Sequence, residues 1–284
     1  MTKLAVHLHL YYLKQLPLVL RYLCSLRNID CDLFVTMVEK NPEVENRIKS
    51  IYPNAEIWQV QNRGYDIGPF IDFLHHVELD NYQYVLKVHT KGTKSKNYTS
   101  LEGRRFDNTL WGEILWNSLL QTPERLTENI QILDNNPQYG ILGSKYCLTS
   151  SKKNYEKWLP QINNELESIG FNPVNELSFV AGSMFLARAN CLKPLKYYKV
   201  EDFPLTDRNI KEGTLAHIIE RMIGALVANQ GYIIKTINDN MSKFQYIYFI
   251  YVTVKRFIFQ SKVTNSGKKL IKICRIPVYQ GLNK

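Results

Sequence analysis

The sequence predicts an α/β protein with a mostly parallel sheet flanked by helices and a basic, aromatic extension at its carboxyl end. Three observations predict it. Short apolar runs alternate with segments of helical periodicity at the spacing of βαβ units, which implies parallel pairing. Two of those runs end in turns carrying glycine and cationic residues, as ligand-binding strand ends do in such sheets. The formal charge of +10 is also unevenly placed. Met241 to Lys284 hold nine Lys or Arg and no Asp or Glu, so residues 1–240 keep about one net positive charge.

Leu4–Leu10 (LAVHLHL) alternates and reads as the first strand. Gln15–Leu26 has apolar residues at helical spacing, and Cys31–Met37 is a second strand. Asn41-Pro42 opens a helix, with Pro at its first turn. Ala55–Val60 is the third strand and runs into Asn62; Ile67–His76 is helical, and Tyr84–His89 is the fourth strand. Leu101–Asn136 reads as largely helical, Tyr139–Leu142 as a short strand, and Glu176–Arg188 as containing another. Thr214–Asn229 is the clearest helix, with Gly231 as its stop. The simplest parse is a catalytic domain over 1–240 and a tail over 241–284.

Composition narrows the class. Hydrophobic residues make up 45% and charged residues 22%, as in a soluble globular protein. The five cysteines are scattered without metal or redox spacing, which suits a reduced cytosolic protein. Neither a signal peptide nor an apolar run near the ~20 residues of a membrane span is evident. With the charge confined to the tail, nucleic acid is not an expected partner.

Two segments carry the chemistry. In Asn62-Arg63-Gly64-Tyr65-Asp66-Ile67-Gly68-Pro69-Phe70, Gly64 and Gly68 permit close backbone approach and leave amides free to donate. Asp66 can accept from ribose hydroxyls or a base N–H, while Asn62 and Arg63 can reach a base edge or a phosphate. The plain alternative is a tight strand-to-helix turn. In His89-Thr90-Lys91-Gly92-Thr93-Lys94, two lysines, two hydroxyls and a glycine suit a diphosphate; the alternative is a solvated basic loop. No Asp-x-Asp lies near either segment, so Lys91 and His89 would stabilise the leaving diphosphate and neither a metal nor another cofactor is expected.

Further along, Glu212, His217 and Glu220 are candidates for the base that takes an acceptor hydroxyl proton, Glu212 first. Arg221 lies four residues from His217, and a surface salt-bridge cluster is the alternative. Phe179–Phe185 reads as a strand with a notch at Gly182-Ser183, where a sugar ring could pack; a bulge in a core strand explains it equally well.

NRGYDIGPF, a strand ending in HTK, FVAGSMFLAR, and EGTLAHIIERMIG with the closing Gly231-Tyr232 together resemble the rhamnan synthesis protein F family. The opening VHLHLYY and Thr36 fit as well, and the resemblance covers roughly residues 4–235. That family consists of bacterial cell-surface polysaccharide glycosyltransferases. The resemblance implies a GT-A-like, Rossmann-like fold and a nucleotide-sugar donor. It carries Asn62, Arg63, Gly64, Asp66, Gly68, His89, Lys91, Gly182, Glu212, His217, Glu220 and Arg221 as site candidates, with Arg221 beside the diphosphate. The chain departs from the family pattern at Gly92, where a further cation is expected after Lys91.

The expectation is therefore an inverting transferase using dTDP-rhamnose, at the cytoplasmic face of the membrane. Its acceptor would be an undecaprenyl-diphosphate-linked or other glycan. One rival keeps the fold with UDP-galactose or UDP-galactofuranose; another is a non-catalytic glycan-binding scaffold. Phe244–Phe259, dense in aromatics with Lys255-Arg256, suits an anionic membrane surface, or else packs as an ordinary helix or strand.

Overall fold

The computed structural model describes residues 4–92, 98–101, 104–207, 209–210, 212–237, 243–263, 268–273 and 276–282. The first strand β1 (Leu4–His9) is buried along its whole length, as a central strand covered on both faces must be. Helix α1 (Leu16–Leu23) and strand β2 (Cys31–Met37) follow. At α2 (Pro42–Lys49) the Asn41 side chain accepts from the Val44 N–H at 3.1 Å and Pro42 takes the first turn, the combination expected at a helix start. Next come β3 (Glu56–Gln59), α3 (Ile67–His76) and β4 (Tyr84–His89).

Strands β5 (Tyr98–Leu101) and β6 (Arg104–Asp107) form an antiparallel pair. They precede α4 (Asn108–Leu120), α5 (Pro123–Asn135), β7 (Tyr139–Ser144) and the two-residue β8 (Leu148–Thr149). After α6 (Leu159–Ser168) come β9 (Phe179–Val180), β10 (Phe185–Arg188), the short α7 (Ala189–Leu192), α8 (Leu215–Asn229) and β11 (Ile233–Ile237). Gly231, at φ +80°, ends α8 as expected, with the Tyr232 N–H returning to the Val227 carbonyl at 3.1 Å.

The seven-stranded sheet has the order β11-β7-β10-β4-β1-β2-β3. Only β10 runs antiparallel to its neighbours, so the mostly parallel α/β class is the one observed. The chain moves outward from β1 through β2 to β3, then returns to the other side of β1 for β4. That reversal opens a crevice beyond the carboxyl ends of β1 and β4, the general ligand position of such sheets.

One expected strand divides in two. Phe179–Phe185 is β9, a turn and then β10, because Gly182 (φ +91°) and Ser183 (φ +49°) are consecutive residues with positive φ and turn the chain out of the extended conformation.

By its contacts the chain forms two compact units, Met1–Gly92 with Gly112–Asp239, and Thr93–Trp111 with Asn240–Lys284. The second unit holds β5 and β6 together with α9 (Lys243–Ile258) and an antiparallel sheet of β12 (Phe259–Val263), β13 (Lys268–Ile273) and β14 (Ile276–Leu282). Within it the Tyr248 hydroxyl meets the Asp107 carboxylate. Phe244, Ile247, Tyr251, Val254 and Ile258 of α9 are all exposed. Their spacing lines them along one side of the helix. Among the described residues no helix is long and apolar enough to cross a membrane.

Candidate functional site

Alternation along β1 places His7 and His9 on one face of the sheet, and parallel register sets Lys87 and His89 of β4 beside them. Helix α3 covers this face; the His7 ring stacks on Phe73 at 4.7 Å. Strand β2 adds Thr36, whose hydroxyl lies 3.0 Å from both His7 Nε2 and His9 Nδ1. His7 Nδ1 and His9 Nε2 are buried with no hydrogen-bond partner. A row of ionisable groups thus underlies the crevice.

The turn leading into α3 supplies the carboxylate. Gly64 (φ +63°) and Tyr65 (φ +56°) are both left-handed. A Cβ at Gly68 would fall 2.1 Å from the Arg63 carbonyl oxygen, so only glycine fits where the chain doubles back. Phe203, Thr206, Asp207 and Ile210 buttress this turn. Arg63 donates to the Phe203 carbonyl at 2.7 Å, the Tyr65 N–H donates to Thr206 Oγ1 at 3.1 Å, and the Tyr65 hydroxyl reaches the Asp207 and Ile210 carbonyls at 2.7 and 2.9 Å. The Thr206 N–H donates to the Asn62 carbonyl at 2.9 Å.

Asp66 stands at the N-cap of α3 but does not cap it; its carboxylate turns inward instead. Oδ2 accepts from Lys87 Nζ at 2.6 Å and from the Ser183 hydroxyl, and lies 3.5 Å from His89 Nε2. His89 Nε2 is 2.9 Å from the Gly182 carbonyl, and the Gly182 N–H donates to Glu220 Oε1 at 2.6 Å. Asp66, His89, Gly182, Ser183 and Glu220, predicted from four separate segments, therefore form one connected cluster.

Charge in this cluster is set by burial and neighbours. Burial alone would raise the Asp66 carboxyl, but His89, Lys87 and Lys91, with the Lys87 hydrogen bond, hold it well below the usual range. Burial pushes His89 down to about 3 and His9 to about 4 against the pull of Asp66. Burial and then Lys87 hold His7 well below its ordinary value. The imidazoles are neutral near pH 7, and His89 acts there as an N–H donor. Burial also lowers Lys91, opposed by Asp66 and Glu220.

The remaining candidates are placed differently. Thr90 Oγ1 accepts the N–H groups of Tyr11 and Tyr12 at 3.0 and 2.9 Å, tying the loop after β1 to the end of β4. Buried Arg221 spreads its guanidinium over the Asn154 carbonyl (3.0 Å), the His217 carbonyl (2.8 Å) and Glu212 Oε2 (2.6 Å). Thr214 sits at the N-cap of α8 without capping it; its hydroxyl pairs with His217 Nδ1 at 2.7 Å. The His217 ring lies 5.0 Å from the Tyr65 ring, which brings this second group beside the Asn62–Gly68 turn. Thr93 and Lys94 lie outside the described residues.

A model of the rhamnan synthesis protein F family matches residues 1–232, most of the chain. The chain belongs to the rhamnan synthesis protein F family. Within the curated proteins it is 28% identical over 240 residues to the uncharacterized protein WxcX of Xanthomonas campestris pv. campestris (strain B100); the match takes in 83% of this chain and 33% of that protein. WxcX of strain ATCC 33913 matches to the same extent. The chain thus spans about a third of the length of the curated relatives it matches. Among solved structures, S. aureus TarS 1–349 is 12% identical with a TM-score of 0.43, covering 90% of this chain and 65% of that one. The galactosyltransferase LgtC, solved with donor and acceptor sugar analogs, is 8% identical with a TM-score of 0.44, covering 86% and 77%.

Lys87, His7, His9 and Thr206 join the site without having been marked by motif or spacing. Lys87 left a signal: a single cation inside the apolar strand YVLKVH, where a lysine is expected only with a buried partner. Thr206 left none, since its role depends on a contact with a turn 141 residues earlier.

Proposed function

We propose that the chain is a nucleotide-sugar-dependent glycosyltransferase that transfers L-rhamnose from dTDP-rhamnose, with inversion, to a lipid-linked glycan in surface polysaccharide synthesis. The observation that carries this reading is the convergence of Asp66, His89 and the Gly182-Ser183 turn beyond the carboxyl ends of β1 and β4. In this reading the Asn62–Gly68 turn holds the nucleoside. The contacts described above fall on Asp66 Oδ2, so Oδ1 is assigned to the ribose. Half-buried Lys91, just past the end of β4, supplies positive charge to the leaving diphosphate. Neutral His89 adds orientation rather than charge. Glu212, exposed beside Arg221, is assigned as the base that takes the acceptor hydroxyl proton.

With no Asp-x-Asp near the two strand-end segments, Lys91 is given the charge-compensating role, and turnover is expected to persist in EDTA. The test is a thermal-shift panel of dTDP-rhamnose, UDP-galactose and UDP-galactofuranose with and without EDTA, since a ligand of the native state raises Tm. A shift of several degrees with dTDP-rhamnose alone, unchanged by EDTA and lost in Asp66→Ala and Lys91→Ala, is the expected result. A shift confined to a UDP-sugar replaces the donor, and none with any donor rejects the activity.

The tail reading extends the proposal. The exposed aromatic and aliphatic side of α9, in a segment rich in Lys and Arg and devoid of acid, suits docking on an anionic bilayer. Phe244→Glu combined with Ile247→Glu is expected to abolish flotation with phosphatidylglycerol vesicles; undiminished flotation removes the docking proposal.

A further inference from the structure

Lys87 sits in mid-strand on β4 and is fully buried. An ammonium in that position is strongly disfavoured unless it is paired and hydrogen-bonded. Its three N–H donors meet three acceptors: Asp66 Oδ2 at 2.6 Å, the Ser183 carbonyl at 2.9 Å and the Ser183 hydroxyl at 3.1 Å. The ammonium also lies 5.3 Å from the centre of the Phe70 ring, which adds a weaker attraction.

These acceptors belong to two different turns. Asp66 directly follows Gly64 and Tyr65, and Ser183 directly follows Gly182. Tyr65 and Ser183 both hold left-handed backbone that side chains other than glycine rarely adopt. Strain of that kind persists only where its surroundings over-determine it, and it gathers at working sites. Lys87 touches both turns from beneath.

We propose that Lys87 is the positioning residue of the donor site, holding the Asp66 carboxylate turned inward against Ser183, so that the two strained turns face one crevice. The proposal rests on the reading of this crevice as a nucleotide-sugar site. Lys87 acts through Asp66 and Ser183 and needs no contact with the ligand.

The charge logic gives the proposal its test. Asp66 is faced by Lys87 and His89 of β4, by Lys91 just beyond, and by His7 and His9 of β1. Glu220 of α8 faces Lys91 in turn. Removal of Lys87 takes away one of the charges and the hydrogen bond that hold the Asp66 carboxyl down, so burial pushes it upward and it takes up a proton more readily as the pH falls.

The experiment is calorimetric titration of native protein and Lys87→Met with dTDP and with UDP at about pH 8, 7 and 6. The readout is the ratio of variant to native Kd, which cancels the titration of the nucleotide itself. The expected ratio is within about threefold at pH 8 and rises to about tenfold or more at pH 6. A ratio constant across this range marks a merely structural loss and overturns the proposal. Should Lys87→Met fail to fold, Asp66→Asn with Lys87→Met removes both charges together. That double variant is expected to bind within about threefold of Asp66→Asn alone, and a further loss of more than about tenfold overturns the proposal. If the native protein binds neither nucleotide, the donor-site reading falls and takes the role of Lys87 with it. Native binding with a flat ratio removes Lys87 only.

Discussion

Acidification from about pH 7 to about pH 5 is expected to remove on the order of 4 kcal/mol of folding stability, well before the ordinary carboxylates titrate. The cause is the buried imidazoles of the central strands. In the fold His9 titrates at about 4 and His89 at about 3, both from an ordinary value of 6.5, and burial is the largest cause for each. The folded pKa lies below the unfolded one, so below pH 6.5 the unfolded chain binds protons that the folded chain refuses. The stability from each histidine is fully present above about 6.5 and is lost as the pH falls toward the folded values. One pH unit is worth about 1.4 kcal/mol per group, so two units with a rounded start give about 2 kcal/mol for each.

His7 acts in the same direction, held down by burial and then by Lys87. Asp66 adds to the loss further down the scale: its folded carboxyl is depressed, so its contribution disappears as the pH drops below the ordinary carboxylate value. A total of about 4 kcal/mol is a large part of the 5–15 kcal/mol that holds a typical domain. Urea unfolding followed by circular dichroism at pH 8, 7, 6 and 5 measures it directly. The midpoint should hold steady from 8 to 7 and fall steeply below 6.5. A flat midpoint down to pH 5 would show that the imidazoles protonate in place, and the neutral reading of His89 would be withdrawn.

The second large effect is expected at Gly68. An alanine Cβ there would stand 2.1 Å from the Arg63 carbonyl oxygen and 2.9 Å from its carbon. Both are backbone atoms, so no rotamer change relieves the overlap and the turn itself must open. Overpacking of this kind costs roughly 1–3 kcal/mol and sometimes more. The movement would also carry Asp66 away from Lys87 and Ser183, so nucleotide binding should fall by about two orders of magnitude. Gly140→Ala is the matched control. Its Cβ would meet Tyr232 Cβ and Val227 Cγ1, both at 2.8 Å, at the start of β7 and away from the Asp66 cluster. Both variants should lower Tm by several degrees, whereas only Gly68→Ala should lose dTDP affinity out of proportion to its stability. Equal loss of affinity in the two would mean that the Asn62–Gly68 turn is structural rather than ligand-binding.

Much of this architecture could be read along the chain. Cys31–Met37, Ile67–His76 and Tyr84–His89 occur at the bounds that periodicity predicts, because side-chain alternation and helical spacing are local properties. The carboxyl-end placement of the Asn62 and His89 segments was equally legible, since strand order along a βαβ chain constrains where turns can emerge. Residues 179–185 defeated the local reading: their apolar pattern is that of a strand, yet the Gly182-Ser183 turn stands between two short ones. Nothing in FVAGSMF announces left-handed backbone at Ser183; contacts from Asp66 and Lys87 stabilise it there.

By itself, then, the sequence determined the alternation of strands and helices, the glycines that the tight turn before α3 demands, and the division of charge between body and tail. Tertiary structure decided which groups meet and in what state. Asp66 finds Ser183 across 117 residues, and Lys87 is buried because a carboxylate is waiting for it. Thr90 is drawn to the Tyr11 and Tyr12 amides. His89, read along the chain as a partner of Lys91 at the diphosphate, becomes a neutral donor once the sheet and α3 have removed its water. Hydrophobic periodicity records which way a side chain points, whereas charge state and partnership depend on what the rest of the chain packs around it.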